Sequence, residues 1–186
     1  VGIFSSVALN HATPASFYAS INDRGSYYSI TRQLPDSNFD FVAGEGILHF
    51  SEKGYEMDSK EYLESRGYEV VFGQSEFEQR TSSKLVMIAN PHKDQKNKVS
   101  NYDVQEEELV SLDKMMENCL KHLGSEKPFF IMCEGGEIDW TLHSNKSMAA
   151  VEAILAFDKA VEKAYEFYLQ HPKETLIIVT ADHETG

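Results

Sequence analysis

PFFIMCEGGEIDWTLH, residues 128–143, sets an apolar run of strand length directly against two glycines, two glutamates, an aspartate and a histidine. A short apolar run bounded by Pro and Gly reads as a strand buried in a parallel sheet. In open α/β sheets ligands bind beyond the carboxyl ends of the strands, so the polar residues that follow are those to inspect for chemistry.

Working outward, similar runs recur: GIFSSVA (2–8), FDFVAG (39–44), YEVVFG (68–73), KLVMIAN (84–90), FFIMCE (129–134) and TLIIVTA (175–181). Helix-period segments alternate with them, which predicts an α/β fold: three layers, a doubly wound and mostly parallel sheet, helices on both faces. TPASFYASIN reads as a helix with Thr13 as N-cap and Pro14 at its first position. Residues 106–124 carry Leu109, Leu112, Met115, Met116, Cys119, Leu120 and Leu123 at helical spacing and stop at Gly124. In 147–170 the stripe Met148, Val151, Ile154, Leu155, Phe157, Ala160, Val161 and Tyr165 is expected to face the core. Residues 91–107 are polar and aperiodic and read as a surface loop. No repeat and no Pro-, Gly- or Ser-rich linker divides the chain, so 1–186 reads as a single domain.

Composition narrows the function classes. With 41% apolar and 25% charged residues the chain is neither disordered nor collagen-like. A net charge of -13 argues against a nucleic acid-binding surface, which needs clustered Lys and Arg to displace counterions. No window approaches 18 consecutive apolar residues, so no membrane span is expected. Cys119 and Cys133 fall in a predicted helix and a predicted strand, too few for a disulfide framework. Val1 is not an initiator methionine, and the chain is expected to begin inside a longer protein.

Three strand ends carry candidate chemistry. After the strand at 129–134, Asp139 and His143 are four apart, which on a helical turn puts them on one face about 5–6 Å apart between Cβ atoms. One metal ion can accept both, with Glu134 in reach and Gly135 and Gly136 letting backbone approach a bound group. Alone, this spacing also fits a capped surface turn. The strand at 175–181 ends on Asp182 and His183, and a second ion there could lie beside the first. The first strand leads to NHATPASFYASINDR (10–24), where a helix from Thr13 would carry Arg24 to its far end, ~16 Å of axis away. Arg24 is then either a helix-end cation or a bidentate phosphate clamp, and spacing does not choose between them.

Taken together, NHATPASFYASINDR, CEGGEIDWTLH and VTADHETG resemble, in order and across the whole chain, three segments of the alkaline phosphatase family. The resemblance implies a phosphate monoester hydrolase with two zinc ions and one magnesium. Thr13 and Glu134 would be magnesium ligands, Asp139 and His143 would bind one zinc, and Asp182 and His183 the other. Arg24 would hold two phosphate oxygens as a catalytic and substrate-binding group. His11 and Trp140 stand where family members differ, some having Asp and Lys, and would border the phosphate and tune the site. The ions would bring about +6 charges to the pocket, enough for an acidic chain to attract a phosphate dianion. Members of the family are usually exported, periplasmic or secreted, and often dimeric, so the resemblance implies such a location and a homodimer here.

The pattern is incomplete. The family's nucleophilic serine and a metal-bridging aspartate belong before Val1, and a further zinc-binding histidine belongs after Gly186. No serine here stands in the nucleophile's context, so the chain is expected to be a fragment that retains zinc weakly and does not hydrolyse phosphate esters alone. Related phosphodiesterases, sulfatases and cofactor-independent phosphoglycerate mutases share a metal-bearing α/β core and are alternatives, as is a noncatalytic metal-binding module. The HATP…R segment argues for the monoesterase.

Overall fold

The computed structural model describes residues 1–90 and 105–185. Five strands, β1 (Gly2–Ser5), β2 (Phe41–Gly44), β3 (Glu69–Phe72), β4 (Leu85–Ile88) and β5 (Ile131–Glu134), form one sheet in the order β3-β4-β2-β1-β5. Every pairing is parallel. Five of the six expected strands are therefore present, each trimmed to four residues.

The helices among the described residues are α1 (Ala12–Ala15), α2 (Tyr27–Thr31), α3 (Leu34–Ser37), α4 (Ser59–Ser65), α5 (Gly73–Gln79), α6 (Leu112–Leu123), α7 (Gly136–His143) and α8 (Ser147–Gln170), with a 3-10 turn at Glu106–Glu108. Alternate strand residues feed two separate cores, as a sheet covered on both faces requires. Phe41, Ala43, Val71, Leu85 and Met87 join Phe77 of α5, Met115, Met116 and Cys119 of α6 and Ala160 of α8 on one face. Val42, Val70, Phe72, Val86 and Ile88 join Leu34 of α3 and Leu63 of α4 on the other. This is the expected three-layer α/β architecture.

Local chemistry sets several boundaries. Asp58 and Glu61 close a capping box at the start of α4, each side chain bonded to the other residue's backbone N–H. Gly124 ends α6 with φ 66°, a left-handed value that glycine adopts without penalty. Cys119 and Cys133 lie in α6 and β5 as expected, and both are free thiols. The segment 91–104 of the expected loop lies outside the described residues; its remainder contains the 3-10 turn. No helix among the described residues is long and apolar enough to cross a membrane.

Three expectations fail, each for a physical reason. The helix expected from Thr13 is instead Ala12–Ala15, with His11 rather than Thr13 at its N-cap; beyond it the regular ladder gives way to turns, Phe17 N to Pro14 O at 3.3 Å and Tyr18 N to Ala15 O at 3.0 Å, while the Tyr18 hydroxyl donates to the Leu9 carbonyl at 2.9 Å. Residues 175–181 are not a strand: no pairing among the described residues includes them, and Leu176 and Ile178 are 82% and 74% exposed. Their strand pattern survives, but neither ladder bonds nor burial stabilise it. Finally, the α8 stripe is only partly buried. Ala160 is sealed and Phe157 packs on the core, whereas Met148, Val151, Ile154, Leu155 and Tyr165 are exposed. The face of α8 turned to the core carries Phe157, Ala160 and Ala164, and the helix packs on α6 and α7.

Candidate metal centre

The two strands whose ends carry the motifs are neighbours. β1 pairs with β5 in the register Ser5↔Glu134, so the chain leaving β1 and the chain leaving β5 emerge side by side at one edge of the sheet. After β1 it turns through His11 and into α1; after β5 it enters α7 within two residues. Gly136 makes that sharp entry possible, since a Cβ there would lie 2.8 Å from Val7 Cγ2 and 3.3 Å from Glu134 Cδ. The glycine thus permits close packing of α7 on Val7, just past β1, and it also lines the cleft that opens there.

A cleft opens at this edge. It is lined by His11, Thr13 and Arg24 from the first motif, and by Glu134, Asp139 and Trp140 from the second. Asp182 and His183 complete the wall. Because α1 ends at Ala15, well before Arg24, Arg24 is not a helix-end charge; it lines the same cleft as Thr13.

Asp139 is the focus. His143 Nε2 lies 3.1 Å and His183 Nε2 3.3 Å from its Oδ1, and the ligating atoms of the three residues all fall within 4.8 Å of one another. Although the Asp139 side chain as a whole is 42% exposed, Oδ1 itself is covered and has no hydrogen-bond partner. The two ring nitrogens are near it without pointing a hydrogen at it. A covered carboxylate oxygen costs free energy unless something positive meets it. A carboxylate with two imidazoles is the donor set that suits zinc, so these residues fit such an ion. The cluster draws Asp139 and His143 from one expected pair and only His183 from the other. Asp182 has a side chain 79% exposed, with its Oδ2 3.9 Å from His183 Nε2.

The surroundings set the protonation states. Burial lowers the His11 pKa, the nearby Arg24 cation lowers it further, and Glu134 and Asp139 oppose both. His183 is pushed upward, first by a bond to the Glu184 carbonyl and then by the charge of Asp182. The His11 ring stands edge-on to Trp140, with centroids 5.3 Å apart and planes at 78°, so the two rings form one wall.

Two contributors carry no sequence signal of their own. Ser5 is fully buried and its hydroxyl donates to Glu134 Oε2 at 2.5 Å. Asn10, also fully buried, accepts from Leu48 N at 2.9 Å and donates to Leu48 O at 2.8 Å, Thr31 Oγ1 at 3.0 Å and Tyr27 O at 3.2 Å. It fastens the loop carrying His11 and Thr13 to α2, three residues beyond Arg24. A lone Ser in a strand or Asn after one is too common to single out.

The fold has counterparts among known proteins. The profile of the family described as alkaline phosphatase matches residues 1–186. The chain is 30% identical to alkaline phosphatase 3 of Bacillus subtilis (strain 168), covering 100% of this chain and 40% of that protein. It is 28% identical to the repressible alkaline phosphatase of Saccharomyces cerevisiae (strain ATCC 204508 / S288c), covering 100% and 38%. Among solved structures, alkaline phosphatase from the Antarctic bacterium TAB5 superposes with a TM-score of 0.80 at 30% identity, covering 100% of this chain and 53% of that one. A mutant of that enzyme, described with Mg bound in its M3 site, gives 0.77 at 28% identity, covering 100% and 52%. The chain therefore spans about two-fifths of the length of these curated relatives and about half of these solved chains.

Proposed function

Because the chain belongs to the alkaline phosphatase family, we propose that it forms the metal- and phosphate-binding part of a phosphate monoester hydrolase. The observation that carries the reading is the covered Asp139 Oδ1, without a hydrogen-bond partner but 3.1 and 3.3 Å from two imidazole nitrogens. Arg24 in the same cleft supports it, because a guanidinium fork matches two oxygens of a phosphate.

In this reading Asp139 and His143 hold one zinc ion and Asp182 and His183 hold a second, with His183 on the side the two share. Glu134 and the Thr13 hydroxyl, an all-oxygen pair, hold magnesium. Bound ions supply positive charge and Lewis acidity where a phosphoryl group gathers negative charge. The chain's own residues do the rest. Arg24 clamps two nonbridging oxygens and so orients the phosphorus. His11 and Trp140 wall the cleft and limit water around the clamped group. Small phosphate monoesters are the substrates, and the family resemblance extends the proposal to an exported homodimer.

The test is equilibrium dialysis of this chain against zinc. Wild type is expected to retain zinc and Asp139→Ala to lose it, while an unchanged zinc content in Asp139→Ala would overturn the assignment. In the longer enzyme that carries this segment, the same substitution is expected to reduce turnover of a chromogenic phosphate monoester by about 10²-fold or more.

A further inference from the structure

Ser5 and Glu134 sit opposite one another in the paired strands β1 and β5, at the strand ends that open into the cleft. Ser5 is fully buried, and its Oγ already accepts a hydrogen bond from Val7 N at 3.2 Å. A hydroxyl has one hydrogen, and with the Val7 N–H pointing at its lone pairs that hydrogen is left for Glu134 Oε2, 2.5 Å away. The bond is charge-assisted and therefore short and strong. Its direction is fixed from both ends.

The neighbouring serine completes the support. Ser6 N donates to the Glu134 carbonyl at 3.0 Å, and Ser6 Oγ accepts from Glu137 N at 3.3 Å in the first turn of α7. The absence of a side chain at Gly136 leaves room for this carboxylate, since a Cβ there would lie 3.3 Å from Glu134 Cδ. One carboxylate oxygen is thus committed to Ser5 while the side chain faces the cleft, which leaves the other oxygen as the free donor.

We propose that Ser5 is a positioning residue that aims Glu134 at a divalent oxygen-seeking cation. The proposal rests on the reading of Glu134 as a magnesium ligand. Without the Ser5 hydrogen bond the carboxylate would be free to rotate between rotamers, and the ordering of that side chain would have to accompany binding. Outer partners of metal ligands characteristically change affinity by about 10–100-fold when removed.

The experiment is calorimetric titration of this chain with magnesium and, separately, with zinc, using wild type, Ser5→Ala, Ser5→Cys, Ser5→Thr and Glu134→Gln. Ser5→Ala and Ser5→Cys are expected to weaken magnesium binding by about 10–100-fold, to leave zinc binding unchanged, and Ser5→Thr to restore the wild-type value. Cysteine fills the buried space with a poor donor, so it reports on the hydrogen bond even if alanine unfolds the strand end. Wild-type magnesium affinity in Ser5→Cys, with Glu134→Gln impaired, overturns the role of Ser5 and leaves the metal assignment standing. Equal magnesium affinity in wild type and Glu134→Gln overturns both. Parallel losses of magnesium and zinc in Ser5→Cys mean a general structural role and overturn the proposal as well.

Discussion

His183 Nε2 lies 3.3 Å from Asp139 Oδ1, so the last described turn of the chain closes on the first turn of α7. Nothing donates a hydrogen bond to that oxygen. A site built to receive a cation carries a stability cost when the cation is absent. Asp139→Asn, which keeps the shape and removes the charge, is therefore expected to raise the thermal midpoint of the metal-free chain at pH 8 while abolishing zinc binding. A midpoint unchanged or lowered by the substitution would show that the oxygen is not strained as described.

Arg24 follows α1, which ends at Ala15, and lines the cleft beside Thr13. Phosphate binding can be followed through Trp140, the chain's single tryptophan, which lines the same cleft. In the zinc-loaded chain, Arg24→Ala is expected to weaken inorganic phosphate binding by at least ~10-fold, equivalent to a charged hydrogen bond of ~1.5–3 kcal/mol. Arg24→Lys should recover only part of it, since an ammonium cannot bind bidentately. Equal phosphate affinity in all three proteins would remove Arg24 from the site.

How much of this was readable in advance depends on which interactions decide each feature. The five strands and the two long helices follow from apolar periodicity, a local property written in segments such as 84–90 and 112–123. The nine nominated residues all reach the cleft or the Asp139 cluster: the ends of the paired strands β1 and β5 lead His11, Thr13, Glu134, Asp139, Trp140 and His143 to one edge, whereas Asp182 and His183 arrive from a segment that pairs with no strand among the described residues. What sequence could not supply was decided by contacts distant in the chain. The segment after α1 is held by the Tyr18 hydroxyl on the Leu9 carbonyl, the pairing of 175–181 depends on a neighbour strand it does not meet, and the exposure of Met148 and Leu155 depends on which face of α8 the sheet accepts. Ser5 and Asn10 were invisible for the same reason, since each matters only through partners on another element.

His122 gives a pH dependence away from the cleft. Its Nδ1 accepts from Arg80 Nε at 3.0 Å, and its Nε2 faces the Ser83 carbonyl at 3.2 Å, which suits the neutral ring with hydrogen on Nε2. Burial lowers its pKa, and Arg80 lowers it further against the pull of the Ser83 and Asp40 groups. The folded state thus binds fewer protons than the unfolded chain below about pH 6.5, the ordinary value for histidine. Its stability contribution is complete above that pH and is lost as pH falls toward the folded pKa. Urea unfolding of the metal-free chain between pH 8 and 5 is expected to show a shallower acid decline in His122→Gln than in wild type. Identical declines would mean that His122 carries its proton equally in both states.

Gly136 ties the site to the packing beneath it. The Cβ of an alanine would sit 2.8 Å from Val7 Cγ2 and 3.0 Å from Val7 Cγ1, closer than packed carbons tolerate, so α7 or Val7 must move. Overpacking of this kind costs about 1–3 kcal/mol. Because α7 carries Asp139 and His143, the displacement also shifts two members of the metal cluster. Gly136→Ala is expected to destabilise the chain by that amount and to weaken zinc binding together with it. Val7→Ala removes both offending methyl groups, so in the Gly136→Ala/Val7→Ala double variant most of the zinc affinity should return even though the lost Val7 burial keeps stability low. Coupling between the two positions, measured as a double-mutant cycle in zinc affinity, is the quantity that decides. A cycle that closes to zero would mean that α7 is placed by other contacts than this one.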